Sequence, residues 1–383
     1  MIRALLLLSL ALLLGACGGG KSSVQLTRQP VAMPEMASAV KAKVVWQNQV
    51  AADRQRRDVY LYPVLQKGII YAVGSAGEAK AITAATGKQL FSFRTKQQIT
   101  SAPGLAPRQL LLASGGAVIA VDPGNASVLW RHQLGNEILA APVQSQNTVL
   151  VRTIDGNLVG LSAADGTELW RFKRSLPALT LRGQSRPVVY RGAALTGYAD
   201  GKLVAVDIST GKQLWDIAAG SKRGRDEIER LTDIDATPLL FGSVLYVAAY
   251  HSKVMALALG SRRLLWNRKI STFEDFSVDQ DSLYISDESG KIWALDRLTG
   301  TVRWVQEGLR WRRLSGPAVY SKYLLVAERG SNFIHVLNKS DGRYLTRLVL
   351  PGPATSKPLA VDDNFLVQTQ GGKLLMMRIV GPG

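Results

Sequence analysis

Between Thr83 and Thr346 the chain keeps one interval in seven copies. A position held by Asp, or by a small or polar residue, is followed eight residues later by Trp or its substitute. The pairs are Thr83 and Phe91, Asp122 and Trp130, Ser162 and Trp170, Asp207 and Trp215, Ala258 and Trp266, Asp296 and Trp304, and Asn338 and Thr346. The fullest copies run Ala205-Val206-Asp207 through Thr210-Gly211 to Trp215, and Ala294-Leu295-Asp296 through Thr299-Gly300 to Trp304. A register held over that much chain marks one supersecondary unit used again and again. Each copy needs its neighbours to cover its apolar faces.

A second mark lies upstream. Pro63, Pro103, Pro142, Pro187, Pro238 and Pro317 each stand 19 to 21 residues ahead of an Asp-like position, Ser277 takes the place in one copy, and Pro358 opens the last unit. Proline suits the first residue of a strand, where no ladder donor is lost. Alternating apolar runs such as Val244-Leu245-Tyr246-Val247-Ala248 and Tyr323-Leu324-Leu325-Val326-Ala327 follow the mark, then glycine-bearing turns and a third run such as Lys202 to Val206. Each unit therefore reads as four short strands. The Asp and Thr-Gly make the last turn, and the Trp sits on the outer strand.

Units of about 40 residues with four strands are propeller blades. The expected fold is all-β: an eight-bladed β-propeller of four-stranded antiparallel blades. The last unit, from Pro358 through Lys373 to Arg378, runs out before its outer strand, while Lys43 to Gln49 supplies a spare strand at the front with Trp46 as the eighth Trp-like position. The N-terminal strand is expected to complete the last blade and close the ring. At repeat positions the Trp residues are expected to act as wedges between blades.

The start of the chain decides its compartment. Arg3 precedes an apolar run from Ala4 to Leu14, broken only by Ser9 and too short to cross about 30 Å of hydrocarbon, so it reads as a signal peptide. The run ends in Leu14-Gly15-Ala16-Cys17, which resembles the lipobox of bacterial lipoproteins. That resemblance implies cleavage before Cys17 and diacylglycerol on its thiol. Gly18, rather than Asp, implies sorting to the outer membrane. The expected organisation is a signal peptide over 1–16, a lipidated cysteine and flexible tether over 17–42, and the propeller over 43–380. Cys17 is the single cysteine, so no disulfide, thiolate metal site or cysteine nucleophile remains. Removing Arg3 leaves 46 Lys and Arg against 29 Asp and Glu, a net charge of +17. The basic residues are dispersed without interleaved aromatics, which points to a solvated basic surface and away from nucleic acid.

Two connections between units are longer than most. From the Trp-like position to the next mark most take 11 to 13 residues, but Trp170 to Pro187 takes 17 and Trp215 to Pro238 takes 23. They flank one blade and emerge on one face, so they are neighbours. Trp46 to Pro63 also takes 17, so length alone does not single them out.

The Ala-x-Asp-x-x-Thr-Gly-x-x-x-Trp pattern resembles the repeat of pyrroloquinoline quinone (PQQ)-type propellers over roughly residues 43 to 380. Within that group, Leu179-Thr180-Leu181-Arg182-Gly183-Gln184-Ser185 and Glu229 through Asp233-Ile234-Asp235 to Pro238 are similar to signature stretches of the BamB family, lipoproteins of the β-barrel assembly machinery. The resemblance implies a non-catalytic scaffold on the periplasmic face of the outer membrane. It also implies that Leu179, Leu181, Arg182, Asp233 and Asp235 bind the periplasmic POTRA domains of BamA, with other assembly subunits and unfolded outer-membrane proteins as further partners. The leucines alternate with Thr180, so an extended segment presents both on one side. Arg182 is placed either to grip a partner carboxylate or to brace the loops against Asp233 or Asp235.

Two other readings stay in view. A quinoprotein dehydrogenase would use PQQ with Ca2+, a catalytic Asp and in many cases a Cys-Cys disulfide; no Cys-Cys occurs here and the ion and base motifs are not recognisable. A propeller that binds client strands directly would use its outer edges. His132, His251 and His335 lie in distant units without a second ligand at metal spacing. Asp233 and Asp235 lack the spacing and closing Glu of an EF-hand, and Gly115-Gly116 and Gly371-Gly372 precede no helix that would cradle phosphate. No cofactor, metal or catalytic residue is expected.

Overall fold

The computed structural model describes residues 29–34, 40–51, 60–177, 180–181, 185–220 and 232–381. Cys17, the signal peptide and most of the expected tether lie outside them. The chain divides into Met1–Pro30, of which only Gln29 and Pro30 are described, and Val31–Gly383, which carries every described sheet.

Eight four-stranded antiparallel sheets follow one another along the described chain, and they make an eight-bladed propeller. Blades one to seven span 64–94, 104–133, 143–172, 188–218, 239–268, 277–306 and 318–349. Blade eight takes its three inner strands from 359–380 and its outer strand from Lys41–Gln49. The closing strand pairs from Lys41 with Val380 to Gln49 with Lys373, starting two residues ahead of its expected first residue. The described body also includes Val31–Pro34, within the span expected to be tether.

The register explains the marks. Each proline mark stands immediately before an innermost strand, as Pro142 does before Val143–Ser145, and Ser277 opens its own strand, Ser277–Val278. Middle strands such as Leu110–Ser114 and Ala117–Val121 are buried at every residue. They are apolar on both faces because adjacent blades cover them. Blades one and two, for example, share a core of Tyr71, Val73, Leu110, Leu112 and Val121. Each of the valines and leucines contributes about 1.5–3 kcal/mol.

The repeated Trp is the wedge its spacing implied. Trp46, Trp130, Trp170, Trp266 and Trp304 each donate the indole N–H to a carbonyl in the last turn of the following blade, at 2.8, 3.1, 2.8, 3.0 and 3.0 Å. Each ring also lies on the glycine of that turn: Gly87, Gly166, Gly211, Gly300 and Gly342. Beside each Trp-like residue, the outer strand carries a β-bulge. The extra residue is Leu129, Leu169 or Leu214 in blades two to four, each about half exposed. A bulge interrupts the ladder that an added strand would need.

Candidate partner-binding surface

Four antiparallel strands per blade put every connection between blades on the same end of the ring. The two long connections, 173–187 and 219–238, flank blade four on that end. Leu179 and Arg182 lie outside the described residues. Leu181 is half-buried, Asp235 is half-buried and Asp233 is 0 % exposed. Of the two carboxylates expected at the surface, Asp233 therefore sits beneath it.

A buried polar cluster ties the two connections to blades three, four and five. Arg152 ends the second strand of blade three and is only 6 % exposed. Its Nη1 donates to the Ser185 carbonyl at 3.2 Å, fixing the end of the first connection. Its guanidinium lies 5.0 Å from the centre of the Tyr198 ring. Arg174 lies 5.3 Å from the same ring and pairs with Asp200. Tyr198 is fully buried, and burial pushes its hydroxyl up to about 12.

The second connection is held by its backbone. The Ile234 amide donates to the Tyr198 carbonyl at 3.3 Å, and the Asp233 carbonyl accepts from the Tyr250 amide at 2.8 Å. This aims the Asp233 side chain inward. Neither of its oxygens has a hydrogen bond of normal geometry among the described residues. The Leu181 amide, from the other long connection, and the Ile234 amide lie close enough to favour the carboxylate. Burial dominates all the same and raises the Asp233 carboxyl to about 6, with Arg152 opposing it. A buried carboxyl whose pKa is raised to about 6 at the seam of two long connections is costly to charge, and costs of this kind concentrate where a surface has work to do.

Asp235 leads to the axis. It lines a cavity of about 500 Å3 on the propeller axis, with Tyr60, Arg186, Glu274, Arg329 and Lys357. Arg329 pairs with Glu274 at 2.6 Å and covers the Tyr60 ring at 4.0 Å. Lys357 donates to the Phe276 carbonyl at 3.1 Å, and burial lowers its pKa. Sequence reasoning missed this cluster because each member comes from a different blade. The repeat register held the clue: Tyr62, Arg186 and Lys357 each stand directly before a proline mark, where the chain turns in toward the axis.

The three histidines stay apart. His335 is buried between Glu328 at 3.0 Å and Tyr344 at 2.7 Å, His132 lies 3.9 Å from Glu168, and His251 lies 3.6 Å from Glu288. Among the described residues no three His, Cys, Asp or Glu side chains converge as a metal-ligand set.

The family model for outer membrane protein assembly factor BamB matches residues 75–306. The curated BamB of Yersinia pestis is 31 % identical over 382 residues, covering 96 % of each chain. The crystal structure of BamB from Moraxella catarrhalis superposes with a TM-score of 0.80 at 23 % identity, covering 88 % of this chain and all of that one. The quinohemoprotein alcohol dehydrogenase of Comamonas testosteroni shares the fold at a TM-score of 0.68 and 12 % identity, over 89 % of this chain and 77 % of its own.

Proposed function

The chain belongs to the BamB family of outer membrane protein assembly factors, and from that premise we propose that it is a non-catalytic scaffold of the β-barrel assembly machinery. Acyl chains on Cys17 hold it at the periplasmic face of the outer membrane. The surface around Leu179, Leu181, Arg182, Asp233 and Asp235 grips POTRA domains of BamA. The complex then steadies incoming barrel precursors for folding and insertion, and this subunit makes or breaks no bond.

The observation that carries the reading is the seam over blade four. Two connections of unusual length are joined there by Arg152, Ser185, Leu181 and Asp233, which gives the surface above them a fixed footing. Leu179, Leu181, Arg182 and Asp235 supply the contact in this scheme, and Asp233 supports it from below. Direct capture of client strands along the ring is disfavoured by the bulges on the outer strands.

The test is binding of the Cys17→Ser chain, without its signal peptide, to a purified periplasmic fragment of BamA by calorimetry. Arg182→Ala and Leu179→Ala are expected to weaken binding at least tenfold with unchanged thermal unfolding. A folded wild type that does not bind the fragment would sink the scaffold reading. Folded variants that bind as wild type would move the interface elsewhere on the ring.

A further inference from the structure

Ahead of the closing strand, Val31–Pro34 lies along the connection between blades six and seven. The Val31 amide donates to the Arg310 carbonyl at 3.1 Å, and the Val31 carbonyl accepts from Arg312 Nη2 at 3.0 Å. Both polar groups of one peptide residue are thus taken up by the body, although Val31 as a whole is 41 % exposed. Met33 packs on the core shared by blades six and seven, which includes Tyr284, Leu309 and Leu314. Pro34 lies so close to Gly308 that a Cβ there would stand 2.6 Å from the proline Cγ.

Arg312 is itself fixed. It pairs with Glu328 at 3.2 Å, and Glu328 meets the buried His335 at 3.0 Å. His335 is held in turn by the Tyr344 hydroxyl at 2.7 Å. The backbone of Val31 therefore connects through Arg312, Glu328 and His335 to the interior of blade seven. Two backbone hydrogen bonds, an inserted Met and a Pro on Gly make a built seat.

We propose that Val31–Pro34 is an intramolecular clip that fixes where the N-terminal chain leaves the propeller. The exit point is the junction of blades six and seven, on the end of the ring that carries the two long connections, and not Lys41 on blade eight. The consequence for tethering rests on the reading of Cys17 as the lipid-bearing residue. Without the clip, about 23 residues separate Cys17 from the first fixed position; with it, about 13 do. At about 3.5 Å per extended residue the greatest reach falls from about 80 Å to about 45 Å. The clip shortens the leash and assigns it to the partner-binding end.

Hydrogen exchange on the Cys17→Ser chain, without its signal peptide, tests the clip apart from lipidation. Peptides covering 29–34 are expected to exchange at least tenfold more slowly than those covering 18–28. Met33→Asp and Gly308→Ala are expected to abolish that difference while exchange in blade seven stays unchanged. Met33 lies outside all the strands, so its substitution leaves the blades intact. Equal exchange of the two segments in the wild type would overturn the proposal, as would protection that survives both substitutions. Mass spectrometry of the membrane-extracted protein separately reads whether Cys17 carries acyl chains.

Discussion

Trp170 of blade three lays its ring on Gly211 of blade four and donates its indole N–H to the Ile208 carbonyl at 2.8 Å. Gly211 has a φ of 71°, and a Cβ on it would stand 2.6 Å from the indole. Glycine is thus required twice over, by the turn and by the neighbour. Gly211→Ala should cost about 2 kcal/mol through backbone strain and the displaced ring. Trp170→Ala should cost about 3 kcal/mol through lost burial. Urea unfolding midpoints measure both, and a silent Gly211→Ala would mean that the wedge does not bear on the turn.

The closing strand offers a second test. Deleting residues 41–49 removes the outer-strand partners of Lys373–Val380 from end to end, leaves Val31–Pro34 in the chain and exposes the core around Met376. A fall in Tm of about 10 °C or more is expected by calorimetry, with association visible on gel filtration. Adding a peptide of the Lys41–Gln49 sequence should restore much of the loss. A truncated chain that stays monomeric at the wild-type Tm would show that the ring does not depend on this strand.

Asp233 predicts a pH signature. Its folded-state pKa is raised from 3.8 to about 6 by burial. The folded state therefore binds the proton more tightly than the unfolded one, and stability from this group is fully present below about pH 4. It is lost as pH rises through 6. By linkage the charged form costs on the order of 2–3 kcal/mol at pH 7.5. Asp233→Asn should stabilise the protein at pH 7.5 and flatten its stability profile between pH 4 and 6. Denaturant unfolding across that range decides it; loss of stability at pH 7.5 would mean that Arg152 fully compensates the charge.

In the axial cavity, Arg329 and Glu274 form a buried pair at 2.6 Å. Removing one partner strands the other, so Arg329→Ala should cost about 3 kcal/mol. Replacing both together should cost less than the sum of the single changes. A double-mutant cycle by urea unfolding measures the coupling, and additive losses would show that the two groups act independently.

The ring was legible because the Asp-to-Trp interval and the proline marks are properties of a strand register, and a register recurs in sequence. Even the closure could be read, since Lys43–Gln49 was surplus at one end and the last unit was one strand short at the other. The burial of Asp233 was not legible. Nothing in Leu231-Thr232-Asp233-Ile234-Asp235 distinguishes an inward carboxylate from an outward one, because the distinction comes from the Tyr198 and Tyr250 backbones in two other strands' turns. The clip was hidden for a related reason. Val31-Ala32-Met33-Pro34 has the small, proline-bearing composition of a tether, and only the cleft beside Gly308 and Arg312 gives it a place.

The pairing of Lys41–Gln49 with Lys373–Val380 also sets an order of events. Along the chain the first of these strands comes before the seven intervening blades and the second after them. Until the late strand is in place the early one has no ladder to join, while the seven intervening blades can each assemble from contacts close in sequence. Blade eight is then completed in one long-range step, whose loop-closure cost falls at the finish. A chain cut between residues 350 and 372 retains seven blades but has nothing to fasten the first strand to, so the ring closes only once Lys373–Val380 is present.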